Sequence, residues 1–158
     1  IMGKLISNYN QLGKTILKIK KSKKKIVHCH GVFDLLHIGH IKHLEKAKKL
    51  GDKLVVTLTA DKHVNKGPER PIFNQALRAD AIAALNAVDY VAINETPTAI
   101  NPIKILKPNI YCKGTDYKNF KDDITGEIRN EIKEIKKIKG QIIFTEEITF
   151  SSSRLINN

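Results

Sequence analysis

Gly31-Val32-Phe33-Asp34-Leu35-Leu36-His37-Ile38-Gly39-His40 follows a short β-branched run and opens an amphipathic segment beginning at Ile41. A strand that leads through glycine straight into a helix is the turn of a β-α unit, which predicts an α/β fold. Gly31 and Gly39 leave room for a backbone to approach a ligand closely. The start of the following helix adds unpaired N–H groups and a positive dipole end. His37 and His40, three residues apart on that first turn, face the same ligand. Together they supply donors for a triphosphate whose charge shifts as a phosphoryl bond breaks, which is electrostatic catalysis without a protein nucleophile. The chemistry this pattern predicts is nucleotidyl transfer.

Outward from this turn the chain alternates strand and helix. Strands are predicted over residues 26–29, 54–59, 90–93, 110–112 and 141–144. Helices are predicted over residues 9–20, 38–50, 74–87, 98–106 and 127–138, with a last one starting near residue 151. Leu12, Ile16 and Ile19 form the stripe of the first helix, Gly51 stops the second, and Asn74 caps the third. Such alternation predicts a Rossmann-like α/β domain, a five-stranded parallel sheet with helices on both faces and right-handed crossovers. With the predicted strands in the order 3-2-1-4-5, strands one and four flank the point where the winding reverses, and ligands bind there at the carboxyl ends. Three polar loops then converge on one crevice: Gly31 to His40, Lys113-Gly114-Thr115-Asp116-Tyr117, and Ser151-Ser152-Ser153.

The 158 residues fit one domain, residues 1–24 forming an N-terminal helix and basic segment and residues 25–158 the core. No apolar stretch is long enough to cross a membrane, and no charged-then-apolar leader opens the chain, so a cytoplasmic protein is expected. The net charge of +12 is scattered. Its two lysine runs, at residues 18–25 and 133–139, have no interleaved aromatics on which bases would stack, so no nucleic-acid partner is expected. A basic protein also attracts small anionic substrates.

Cys29 and Cys112 lie in apolar strand-like runs and read as buried free thiols. His37, His40 and His43 share helical spacing, yet no cysteine or carboxylate sits at a suitable local spacing beside them, so no protein metal site is predicted. His28, His30 and His63 have ordinary structural or surface readings. Asp34 either orients an imidazole or caps the next turn.

The arrangement Gly-x-Phe-Asp-x-Leu-His-x-Gly-His resembles the signature of the cytidylyltransferase-like nucleotidyltransferases. The later blocks Asp52 through Asp61, Lys66-Gly67, Arg70-Pro71, Arg78, Ala83-Ala84, Val88-Asp89 and Lys113 to Tyr117 are similar to the adenylyltransferase half of the bifunctional ADP-heptose synthases. The resemblance runs from about Lys25 to about Asn157. It implies that His37, His40 and Gly39 sit against the nucleotide phosphates, with the backbone of Gly31, Val32 and Phe33 shaping the pocket. It also implies that Lys66, in a loop broken by Gly67 and Pro68, is a mobile cation closing over departing pyrophosphate. Arg78 matches the family arginine early in its helix and is expected at the nucleotide, while Arg70 reads equally as the partner of a carboxylate. Lys113, Gly114 and Asp116 would contact nucleotide or acceptor, and Ser151, Ser152 and Ser153 would hold phosphates. Magnesium as cofactor, a homodimer and a sugar-kinase-like partner domain in a longer protein are further expectations of the resemblance.

The reaction it implies is transfer of AMP from ATP to a sugar phosphate such as heptose-1-phosphate, with release of pyrophosphate. A cytidylyltransferase using CTP and a polyol or sugar phosphate is the alternative, and a nucleotide-binding regulatory module is the non-enzyme one. Glycerol-3-phosphate cytidylyltransferases carry an arginine where this chain has Glu146 and Glu147, and a lysine missing around Asn94-Glu95-Thr96, so their acceptor is not implied. Phe150 to Asn157 also departs from the heptose-type ending, which leaves the acceptor open. His37-Ile38-Gly39-His40 also spells a class I aminoacyl-tRNA synthetase motif, but the chain is too short and lacks the lysine-rich signature loop of those enzymes.

Overall fold

β-Branched and leucine-rich runs form the centre of the protein. A computed structural model describes residues 4–114 and 126–146. The strands are β1 (Leu5–Ile6), β2 (Ile26–Gly31), β3 (Lys53–Thr59), β4 (Tyr90–Asn94), β5 (Ile110–Gly114) and β6 (Gln141–Thr145). The helices are α1 (Tyr9–Lys21), α2 (Ile38–Lys49), α3 (Gln75–Ala83), α4 (Ile100–Leu106) and α5 (Glu127–Lys137), with a 3-10 turn at Asp61–His63. The strands are parallel and lie in the order β1-β4-β3-β2-β5-β6. The five predicted strands therefore take the predicted order. The sheet has six rather than five, because Leu5–Ile6 adds a two-residue edge strand on β4, too short to show a period of its own.

α2 and α3 cover one face, where Leu44, Ala47, Ala79 and Ile82 pack on Val27, Cys29, Leu54, Val56, Leu58 and Cys112. α1, α4 and α5 cover the other. Leu12, Ile16 and Ile19 of α1 meet Ile26, Val55 and Ala92, and Ile103 and Ile135 close over Tyr111. Burial of both faces is what makes the central strands continuous apolar runs rather than alternating ones. Asn8 caps α1 by accepting from Gln11 N, and Asn74 caps α3 by accepting from Leu77 N, as expected of short polar side chains at helix starts. α3 stops at Ala83, short of the predicted residue 87. α4 ends on Lys107 in the left-handed region, ahead of Pro108, which cannot continue a helix.

β2 is followed in space by β3 on one side and β5 on the other, so the winding reverses between β2 and β5. In a parallel sheet the loop after Gly31 and the end of β5 at Gly114 lie at the same edge, at this switch point. Among the described residues, no helix is long and apolar enough to cross a membrane.

Candidate active site

His37 is the N-cap of α2. Its Nδ1 accepts from Gly39 N at 3.1 Å, while His37 N donates to Nδ1 of His40 at 3.3 Å. Backbone N–H groups only donate, so both Nδ1 atoms carry lone pairs and the neutral rings hold their protons on Nε2. Two Nε2–H donors thus stand at the positive end of a helix. The rings stack with centroids 3.8 Å apart, and the Phe33 ring meets His40 edge-on at 5.3 Å. Burial, with the nearby His37, Lys66 and His43 as lesser causes, lowers the His40 pKa to about 4. At neutral pH His40 is therefore an uncharged donor.

Phe33 takes a positive φ of 51°, and its ring crosses Gly31 so closely that a Cβ there would meet Phe33 Cε2 at 2.9 Å. A side chain at position 31 would have to displace the Phe33 ring. Asp34 is buried, and its bonds run to the segment at residues 70–73. It accepts from Arg70 Nε at 2.7 Å and from the Ile72 and Phe73 amides at 3.0 Å. Burial alone would raise its pKa, but those three donors outweigh it and hold the carboxyl below its ordinary value. Asp34 thereby clamps the segment that follows Lys66. Lys66 itself is exposed, with its pKa lowered by desolvation and by the neighbouring Arg70 charge, and its own charge reaches His40.

Arg78 is 1 % exposed and its guanidinium is spent on the protein. It donates to the carbonyls of Val32 (2.9 Å), Thr59 (2.8 Å) and Phe73 (2.9 Å), and to Asp61 Oδ1 at 2.7 Å. It ties the loop after β2 to the end of β3 and to the loop before α3, a positioning role. Lys113 projects from the opposite face of the sheet to α2. It pairs with Glu131 at 3.4 Å and lies 5.4 Å from the Tyr111 ring centre. The structure thus brings Gly31, Val32, Phe33, His37, Gly39, His40 and Lys66 together, with Asp34 and Arg78 bracing them from behind and Gly114 ending the adjacent strand. Asp116, Ser151, Ser152 and Ser153 lie outside the described residues.

Local spacing hid two groupings. His28, Thr57, His30 and Thr59 form a buried hydrogen-bonded row at the carboxyl ends of β2 and β3: His28 Nε2 and His30 Nδ1 lie 2.8 and 2.7 Å from Thr57 Oγ1. Burial and the Lys113 charge lower the His30 pKa to about 3, and burial takes His28 well below its ordinary value. On the other face, Cys29 and Cys112 are free thiols on neighbouring strands, with His43 beside them. The signal for both was strand register, which period-2 alternation sets but a single strand does not reveal.

The described residues turn no carboxylate toward the histidine pair, since Asp34 is held by Arg70 and Asp61 by Arg78. A magnesium ion at this site would take its ligands chiefly from substrate phosphates and water.

Comparison with known proteins bears on the family and the fold. The cytidylyltransferase-like family profile matches residues 28–158. The bifunctional protein HldE of Aliarcobacter butzleri is 42 % identical over 138 residues, covering 86 % of this chain and 29 % of that protein. HldE of Geobacter metallireducens is 46 % identical over 114 residues, covering 71 % of this chain and 23 % of its own length. The chain thus spans less than a third of the curated relatives it matches. Among solved structures, the lipopolysaccharide core biosynthesis protein from Thermoplasma volcanium superposes with a TM-score of 0.64 at 28 % identity, over 81 % of this chain and 99 % of that one. Pantoate-beta-alanine ligase from Francisella tularensis, at 19 % identity, superposes with a TM-score of 0.71 over 98 % of this chain and 72 % of its own, a likeness of fold.

Proposed function

The chain belongs to the cytidylyltransferase-like family of nucleotidyltransferases, and from that premise we propose that it transfers AMP from ATP to a sugar phosphate, heptose-1-phosphate being the first candidate. The observation that carries this reading is the pair of Nε2–H donors made by the reciprocal capping of His37 and His40 at the switch point of the sheet. Similarity to the HldE proteins over 86 % of the chain supports the adenylyl branch and a sugar-phosphate acceptor.

An acceptor phosphate oxygen attacks the α-phosphorus of ATP in line. The new P–O bond forms as the bond to the β-phosphate oxygen breaks, and pyrophosphate leaves with the electron pair. Charge builds on the α-phosphate and bridging oxygens, which His37 and His40 meet with fixed, neutral donors in a partly dry site. The Gly31 to Phe33 backbone lines the phosphates, and Lys66 brings its charge to the leaving group. Nothing covalent forms on the protein. Magnesium, entering with the triphosphate, would supply further charge neutralisation, and the protein's own part needs no side chain from it.

The test is pyrophosphate release with magnesium from ATP and from CTP, each against heptose-1-phosphate, other sugar phosphates and glycerol-3-phosphate. Release confined to ATP with a sugar phosphate supports the reading. Release with CTP moves the chain to the cytidylyl branch. Thermal stabilisation by nucleotide with no release under any pairing overturns transfer and leaves a nucleotide-binding module.

A further inference from the structure

Cys29 of β2 and Cys112 of β5 come from opposite halves of the chain and lie side by side, because the register pairs Val27 with Ile110 and His28 with Tyr111. Both are free thiols and at most 1 % exposed. Each projects toward the face covered by α2. From that helix His43 reaches in, so that two sulfurs and a ring nitrogen all lie within 4.8 Å of one another. The ring is held from outside the cluster. Thr145 Oγ1 lies 2.7 Å from His43 Nδ1 and donates its own proton to Lys113 O at 3.4 Å. With that proton on the carbonyl, Nδ1–H donates to Thr145, the tautomer that leaves the Nε2 lone pair for an ion, and Thr145 is the kind of outer partner that metal-ligating histidines usually have.

We propose that Cys29, Cys112 and His43 form a binding site for a thiophilic divalent cation, zinc in the first instance, beneath the helix that carries His40. The proposal is independent of the nucleotidyl-transfer reading. Tetrahedral zinc with bonds of about 2.3 Å to sulfur and about 2.1 Å to nitrogen needs ligand atoms about 3.5 to 3.8 Å apart. A contraction of about 1 Å therefore closes the set. Two thiolates, a neutral imidazole and a divalent ion sum to zero charge, which suits a site whose two sulfurs are buried, whereas a monovalent ion would leave a buried negative charge. On binding, each thiol loses its proton to solvent and its sulfur lone pair forms the bond to the ion, with no change of oxidation state. Three protein ligands leave a fourth position for water or another small donor. Magnesium, which prefers oxygen, would not compete. The occupied site would join β2, β5 and α2, and through Thr145 also β6, one helical turn past His40.

The probe is cobalt(II), then zinc, added to the reduced, chelator-stripped chain. The expected result is one cobalt per chain with near-ultraviolet thiolate charge-transfer absorption and visible bands of tetrahedral cobalt, displaced by zinc and not by excess magnesium. Cys29→Ala and Cys112→Ala should each weaken binding by at least about a hundredfold, and Thr145→Val by about tenfold, the usual effect of losing an outer partner. Zinc should raise the melting temperature of the wild type and not of the cysteine variants. Where a variant fails to fold, X-ray absorption on the zinc-loaded wild type decides, with two sulfurs per zinc supporting the site and an all-nitrogen-and-oxygen shell overturning it. Absence of charge-transfer absorption, or equal binding by wild type and folded Cys112→Ala, also overturns it.

Discussion

His37 and His40 hold each other in place: the Nδ1 of His40 accepts from the backbone N–H of His37 at 3.3 Å, and their rings stack with centroids 3.8 Å apart. The lone pairs that cap the helix are the same ones that force both protons onto Nε2. In the proposed reaction capping and catalysis are therefore one arrangement, and a glutamate in the usual third capping position would cap as well but offer no donor.

Replacing His40 by alanine should lower turnover by at least about a hundredfold, the effect of deleting a preorganised donor to a developing oxyanion. The same change removes the acceptor of His37 N and should cost about 1 kcal/mol of stability, as loss of a cap does. Steady-state kinetics alongside circular dichroism melting check both. Near-normal turnover in a folded variant would take His40 out of the reaction.

Asp34 and Arg70 are both nearly inaccessible and joined at 2.7 Å. Breaking a buried pair from one side typically costs about 3 to 5 kcal/mol, because the remaining charge is stranded. Asp34→Asn should lose stability of that order and also raise KM for the nucleotide, since the clamp on Ile72 and Phe73 holds the segment that follows Lys66. The double variant Asp34→Leu/Arg70→Met should lose much less than the sum of the single changes in urea unfolding. Additive losses would mean that the two residues act separately.

Three histidines are held neutral by the fold: His40 with a pKa of about 4, His30 with about 3, and His28 well below 6.5. Unfolded histidine titrates near 6.5, so the unfolded chain takes up protons first as the pH falls. Their stabilising contribution is complete above about pH 6.5 and is lost as the pH drops through 4 toward 3. Urea midpoints should be level from pH 8 to 7 and fall steeply from pH 6 to 4, with a shallower fall in His30→Gln. Equal stability at pH 7 and pH 5 would contradict burial of neutral rings. Asp34 does not confuse the reading, because its lowered pKa confines its contribution to more acid solution.

The legible parts were those written in local order. β-Branched runs announced the five central strands, Asn74 announced the start of α3, and the Gly31 to His40 turn announced the β2–α2 junction, because each depends on residues within one or two turns of one another. Arg70 was legible as the partner of a carboxylate but not of which one: Asp34 lies 36 residues away, and neither orienting an imidazole nor capping a turn describes what Asp34 does. Lys113 was read as facing the crevice, yet strand alternation puts its side chain with Tyr111, toward Glu131. The meeting of Cys29, Cys112 and His43 needed both the β2–β5 register and the seating of α2, neither of which any one segment carries.

Arg78 separates a positioning role from direct contact with nucleotide. All of its described bonds go to the protein: three carbonyls, one of them Val32 in the loop after β2, and the Asp61 carboxylate. Lysine keeps the charge but cannot reproduce the planar fork, so Arg78→Lys strands buried carbonyls at roughly 1 to 3 kcal/mol each. Two such losses correspond to a fall in melting temperature of several to about 20 °C for a chain of this size, measured with no nucleotide present. A residue acting only on bound phosphate would leave the melting temperature of the free protein unchanged and weaken nucleotide affinity alone. The bonds to Val32, Thr59 and Phe73 require both to fall together, because the loop that would bind phosphate and the loop that stabilises the free chain are held by the same guanidinium. An unchanged melting temperature in Arg78→Lys would therefore overturn the positioning role and return Arg78 to the nucleotide.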